Sequence, residues 1–158
     1  MKERPSWHEY FMNMALLVAE RSTCIRRQVG AVLIKNNQII ATGYNGTSKG
    51  LPHCSITGCM RQLYNVPSGE KHELCRGVHA EQNTIIQAAL YGTSIEGTVL
   101  YTTNFPCVIC AKMIINAEIK IVYVLEDYPD KLSKEILSES GTEVILFNMT
   151  DKSLKKIV

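Results

Sequence analysis

The stretch HAEQNTIIQAALYGTSIEGTVLYTTNFPCVICAKMIINAEIKIVYVL, residues 79–125, decides the fold, because it alternates between helical and strand periods. His79 to Leu90 spaces its apolar side chains for a helix, and Thr98 to Thr103 reads as a strand. Pro106 to Ala117 is a second helix, with proline in its first turn. Ile119 to Leu125 is nearly continuous in apolar residues, the pattern of a strand buried on both faces.

The same alternation continues outward. Upstream, Val29 to Ile34 and Gln38 to Tyr44 are strand-like and joined by Lys35-Asn36-Asn37, which suits a hairpin turn. Before them, Ser6-Trp7-His8-Glu9 has the spacing of a capping box and opens an amphipathic helix ending near Arg21. Downstream, Asp130 to Ser140 is a helix stopped by Gly141, and Glu143 to Phe147 a last short strand. The basic tail Asp151 to Val158 is expected at the surface. Strand and helix in alternation predict one three-layer α/β/α domain over residues 1–158. Residues 45–78 interrupt it: they are rich in Gly, Pro, Ser, Cys and His and have poor periodicity. A loop that long inside a compact domain needs something other than a core to hold it.

Composition narrows the function classes. At 158 residues, 46% hydrophobic and 20% charged, the chain is neither disordered nor long enough for two full domains. The net charge of +2 builds no field for polynucleotide binding, so no nucleic-acid partner is expected. No apolar segment follows the charged start, and Met14 to Ala19 is far too short for a span, so a cytoplasmic protein without membrane attachment is expected. Six cysteines and four histidines are the unusual feature. In a reducing compartment, clustered cysteines bind metal or react.

His79-Ala80-Glu81 opens one predicted helix, and Pro106-Cys107-Val108-Ile109-Cys110 opens the next. Cysteines three apart in a first turn share a face, and the helix N-terminus favours their thiolates. With His79 they make a zinc set whose fourth tetrahedral position is open, which marks a catalytic site rather than a structural one. Glu81 stands beside that position without being needed as a ligand, so it can carry protons for an activated water. This is the H-x-E…P-C-x-x-C pattern of zinc deaminases. No second C-x-x-C completes a zinc ribbon, and Arg76 stands where a zinc-protease motif starting at His72 would need histidine.

With these motifs, the chain resembles the cytidine and deoxycytidylate deaminase superfamily, and most closely its bacterial and phage dCMP deaminases, including members encoded in competence operons. The resemblance runs from about Trp7 to Phe147. It rests on Arg21-Ser22-Thr23-Cys24, Gln28 to Val32, Gly43-Tyr44-Asn45-Gly46, Pro52-His53-Cys54, His72 to Cys75, His79 to Asn83 and Phe105 to Lys112. It implies a cytidine-deaminase-like fold with a central mixed sheet of about five strands. It also implies hydrolysis of dCMP to dUMP and ammonia for thymidylate synthesis, with zinc on His79, Cys107 and Cys110 and proton transfer through Glu81. Asn45 would position the nucleoside, although an Asn-Gly turn alone would also account for it, and the backbone around Ala80 would face the base. Arg26, Arg27, Lys49 and Arg76 are candidates for the 5′-phosphate. Relatives are hexamers activated by dCTP with Mg2+ and inhibited by dTTP, so a homo-oligomer with those effectors is expected. Leu90 stands where they often carry arginine.

The remaining cysteines suggest a second, structural zinc that tethers residues 45–78. Resemblance to zinc-containing dCMP deaminases favours Cys24, Cys54, His72 and Cys75, with Cys59 able to replace Cys54 and His53 able to replace His72. Rival readings are a zinc deaminase for another nucleoside, nucleobase or tRNA base, and a zinc-stabilised competence protein. Glu81 argues against the last, since a structural role needs no carboxylate there.

Overall fold

The computed structural model describes residues 3–158. Met1 and Lys2, part of the start read above for a leader, lie outside the described residues. The strands are β1 (Gly30–Lys35), β2 (Gln38–Tyr44), β3 (Gly46–Thr47), β4 (Gly77–Val78), β5 (Val99–Thr102), β6 (Ile121–Val124), β7 (Glu143–Phe147) and β8 (Leu154–Lys156). The helices are α1 (Trp7–Ala19), α2 (Cys54–Thr57), α3 (Met60–Leu63), α4 (Ala80–Leu90), α5 (Val108–Asn116) and α6 (Lys131–Glu139).

Six strands form one mixed sheet in the order β2-β1-β5-β6-β7-β8. The pairs β5–β6 and β6–β7 are parallel and the others antiparallel. Side chains alternate across the sheet. Ala31, Leu33, Leu100, Val122, Val124 and Val144 point to the face covered by α4, α5 and α6, where Ile114 and Leu137 meet them. Val32, Ile34, Tyr101 and Phe147 point to the other face, under Phe11, Met12 and Ala15 of α1. Burying each large apolar side chain stabilises the fold by about 1.5–3 kcal/mol. Two glycines set the helices close to the sheet. A side chain on Gly30 would strike the α1 backbone at Ala15 and Ala19, and one on Gly43 would strike the α4 backbone at Ala80 and Thr84.

The structure departs from the sequence reading at two places. A sixth strand exists, because the tail, exposed over Leu154–Lys156 as expected, pairs there with the open edge of β7. Ile157 and Val158 then pack against the core. The stretch 45–78 is also less irregular than its composition predicts. Its two ends close on each other as the β3–β4 ladder, Gly46 opposite Val78 and Thr47 opposite Gly77. Between them lie α2, α3 and a 3-10 turn at His72–Leu74. Among the described residues, no helix is long and apolar enough to cross a membrane.

Candidate active site

His79 is the N-cap of α4 and Cys107 the N-cap of α5, so two helix N-termini converge on one point. The His79 N–H donates to Gln82 Oε1 at 2.8 Å, which fixes the turn that aims its ring. His79 Nδ1 lies 3.4 Å from Cys107 Sγ and 3.3 Å from Cys110 Sγ. Glu81, buried at 4% exposure, accepts from the Cys110 thiol through Oε2 at 3.6 Å.

The cysteine pair is held from below by α6. Ser133 Oγ, fully buried, donates to the Pro106 carbonyl at 2.7 Å. Asp130 accepts from the Val108 N–H at 3.0 Å with one oxygen and from the Ser133 N–H at 2.9 Å with the other. Peptide groups on both sides of Cys107 are therefore tied to the first turn of α6.

Hydrogen bonding from Cys110 and then His79 pulls the Cys107 thiol down to about 3, against its burial. The bond to Cys107, with burial, drives Cys110 far above the ordinary thiol range. His79 is raised, chiefly by its bond to Cys107. Burial raises Glu81, with His79 opposing. Protons are thus shared in a tight, dry cluster, and a cation that takes these donors displaces them.

The donor set fits zinc. Bonds of about 2.0–2.1 Å to nitrogen and 2.3 Å to sulfur in a tetrahedron put those atoms about 3.5 Å apart. The two N···S separations here are 3.4 and 3.3 Å. Three such donors leave a fourth position open toward the cavity. That cavity, about 300 Å³, is lined by Ala80 and Glu81 as well as His79 and Cys107. It is large enough for a small ligand.

The other expected site residues fall into place unevenly. Cys24, Cys54, Cys59 and Cys75 line the same cavity. Burial and then the neighbouring Cys24, Cys59 and Cys75 sulfurs raise the Cys54 thiol, with Arg76 opposing. His72 lines that cavity with them and also stands beside the catalytic cluster. Its ring stands edge-on to His79 at 5.1 Å between centroids, and its ligand atom lies within 4.8 Å of those of His79 and Cys107. His53 bonds Thr47 Oγ1 at 3.0 Å.

Asn45 lines the cavity but its amide is largely engaged. Oδ1 accepts from Ser22 Oγ at 2.6 Å and from the Val29 N–H at 2.8 Å, while Nδ2 donates to the Arg27 carbonyl at 2.8 Å. It brackets the loop before β1 and keeps one amide hydrogen free. Of the basic candidates, Arg26 and Arg27 line the cavity, and Lys49 lines a separate groove along β2 and α4. Arg76 acts on the Cys54 thiol. Arg27 pairs with Glu126 at 3.8 Å.

Arg61 was not singled out by the sequence, yet it lines the cavity too. Arg26 Nη1 and Arg61 Nε are buried without hydrogen-bond partners, as are both ring nitrogens of His72. Among the described residues only one further buried side-chain atom, Thr102 Oγ1, shares that condition. Buried donors without partners are rare, and two guanidiniums among them ask for an anion.

Residues 5–126 match the family described as the cytidine and deoxycytidylate deaminase zinc-binding region. ComE operon protein 2 of Bacillus subtilis is 40% identical over 143 residues, which are 90% of this chain and 71% of that protein. The deoxycytidylate deaminase of Schizosaccharomyces pombe is 37% identical over 89% of this chain, which spans only 44% of that enzyme's length. The crystal structure of the cyanophage S-TIM5 dCMP deaminase in complex with dCMP and dUMP superposes with a TM-score of 0.71 at 34% identity, covering 90% of this chain and 97% of that one.

Proposed function

The chain belongs to the cytidine and deoxycytidylate deaminase family, and from that premise we propose that it hydrolyses dCMP to dUMP and ammonia. One observation carries the reading: His79, Cys107 and buried Glu81, with Cys110 in contact behind them, line a cavity that they share with the unpartnered guanidinium donors of Arg26 and Arg61. The metal cluster suits the amine, and the cations suit a phosphate.

His79, Cys107 and Cys110 would hold the ion. A bound zinc supplies the polarisation that makes water nucleophilic near neutral pH. Glu81 takes one proton from the attacking water and delivers it to pyrimidine N3, then carries the second to the amine leaving C4. The C4–O bond forms first, giving a tetrahedral carbon, and the C4–N4 bond breaks when that adduct collapses. One water hydrogen stays on N3 of dUMP and the other leaves in ammonia. Burial suits Glu81 to this work, because it raises the carboxyl toward the pH at which it both gives and accepts a proton. Ala80, fully buried at the start of α4, gives the base its backbone wall. Asn45, with one amide hydrogen free, is the candidate contact for the sugar.

A second zinc on Cys24, Cys54, His72 and Cys75, with Cys59 able to replace Cys54, is part of the same proposal, supported by their lining one cavity. Four such donors are a closed structural set. The expected Mg2+–dCTP and dTTP regulation rests on the family resemblance. An oligomer is favoured by the exposed apolar side chains Leu90 and Tyr91 at the end of α4. Ammonia release from dCMP and from deoxycytidine, each with and without dCTP and Mg2+, tests the reading. Turnover of dCMP in preference to deoxycytidine is the expected result, and no turnover of dCMP under any condition overturns it.

A further inference from the structure

Three loops meet at one end of the sheet because strand register puts them there. Ala31 lies opposite Thr102, and Thr102 beside Val124. Arg27 stands four residues before the first of these, Asn104 two after the second and Glu126 two after the third. The Phe105 N–H donates to the Glu126 carbonyl at 3.0 Å, which ties two of the loops together. The Glu126 carboxylate completes the join. Its Oε2 accepts from Asn104 Nδ2 at 2.9 Å and pairs with Arg27 Nη1 at 3.8 Å. Asn104 and Arg27 both line the cavity, and Glu126 backs them without lining it. The three guanidiniums of the cavity are therefore unequal. Arg26 Nη1 and Arg61 Nε are buried without partners, whereas the Arg27 side chain is 54% exposed and its charge is already opposed. Asp127, the next carboxylate, is taken by Lys134 at 2.8 Å, which leaves Glu126 to face Arg27.

We propose that Glu126, acting through Arg27, restricts the site to nucleotides that carry a single phosphate. This rests on the deaminase reading, which places the base at the metal cluster and the phosphate on Arg26 and Arg61. The enclosed end of the cavity belongs to buried Glu81 and Cys107, so anything attached beyond that phosphate passes toward the exposed side. There it meets Arg27, a cation already compensated by a carboxylate. Three arginines and one glutamate sum to +2, which matches a phosphate monoester of about −2. A diphosphate brings further negative charge and finds no uncommitted guanidinium, only the carboxylate that repels it. Glu126 is thus a positioning residue, since it meets the nucleotide by way of Arg27. One exposed ion pair shifts an equilibrium by up to about fivefold, and that is the discrimination expected from this carboxylate.

Equilibrium dialysis of the zinc-loaded full chain with labelled dUMP, displaced by unlabelled dUMP or dUDP, tests this without turnover. It counts only the site that dUMP occupies. The wild type should bind dUMP more tightly than dUDP. Glu126→Gln keeps an acceptor for Asn104 and removes the charge alone, so it should narrow that preference by about fivefold, through tighter dUDP. Glu126→Lys reverses the charge and should narrow it further. A role for Glu126 in bracing the loops alone would not produce this order, because it would change both affinities together. A preference unchanged in Glu126→Gln, whether both affinities hold or both weaken equally, therefore overturns the proposal. So does a wild type that binds dUMP and dUDP alike. A wild type that binds neither nucleotide overturns it together with the phosphate assignment. Failure of the deaminase reading is separately visible: the wild type would release no ammonia from dCMP, while the preference for dUMP and its loss in Glu126→Gln would stand.

Discussion

Replacing Arg61 by alanine removes a guanidinium whose Nε is buried without a partner and whose Nη2 donates to the Pro67 carbonyl at 2.8 Å. If Nε waits for the 5′-phosphate, the substitution deletes one charge-assisted hydrogen bond to substrate. Such a bond is worth about 1.5–3 kcal/mol. Arg61 is only half-buried, so solvent screening places it at the lower end. At roughly 1.4 kcal/mol per decade, kcat/KM for dCMP should fall about tenfold. The Pro67 bond complicates a single measurement, because alanine also loosens the loop.

Comparing two substrates separates the effects. Deoxycytidine lacks the phosphate but feels the same loop. Wild type and Arg61→Ala assayed with dCMP and with deoxycytidine form a cycle in which the loop contribution cancels. The expected coupling is about tenfold, carried by dCMP alone. Equal losses for both substrates would assign Arg61 to the loop, and no loss for either would remove it from the site. Arg61→Lys should recover only part of the loss, since an ammonium cannot reproduce the guanidinium fork.

Glu81→Gln keeps the volume of the side chain and removes its proton-carrying role, so kcat should fall by about 10²–10⁴-fold while zinc content is kept; an active variant would refute proton transfer through Glu81. Asp130→Ala deletes the bond to the Val108 N–H and the N-cap of α6, which should cost about 1 kcal/mol of stability and weaken zinc retention against a chelator. Unchanged zinc affinity would show that α6 does not position Cys107. Cys75→Ser should reduce zinc from about two ions per chain to about one and speed proteolytic cleavage within residues 45–78; a full complement of zinc would exclude Cys75 from the second site. His8, in the aromatic layer between α1 and the sheet, is lowered by burial. The folded state therefore binds fewer protons than the unfolded one just below pH 6.5, so that part of the stability should decline as the pH falls through that value and on through the folded pKa. Thermal midpoints between pH 8 and pH 5 should fall less steeply in His8→Phe, and parallel curves would refute the linkage.

What the sequence discloses and what it hides differ for a physical reason. A catalytic zinc constrains both residue type and local spacing. Cys107 and Cys110 must share the first turn of one helix, and Glu81 must follow His79 by two residues at the head of another. Such constraints are local, so they can be read from a string of residues. The alternation of Ala31, Leu33 against Val32, Ile34 is equally local, and the two cores follow from it. The tail behaves otherwise: Leu154–Lys156 is exposed throughout and carries two lysines, and only the unpaired edge of β7 makes it a strand. Asn45 is also ambiguous until its partners Ser22, Val29 and Arg27 are seen around it.

Recognition of a phosphate is the extreme case. It asks for positive charge at a point in space, and any arginine or lysine whose backbone comes near enough can answer. Arg26 precedes β1, while Arg61 belongs to α3 within the insert, thirty-five positions later in the chain. No periodicity links them. They meet because the β3–β4 ladder folds residues 45–78 back over the metal cluster. If the cysteines tether the insert through the proposed second zinc, they also bring Arg61 and His72 to the cavity. On that view the second metal set and the substrate site are mechanically one unit. Stripping only the second zinc should raise KM for dCMP more than for deoxycytidine, because the insert carries the phosphate's arginine while α4 and α5 carry the chemistry.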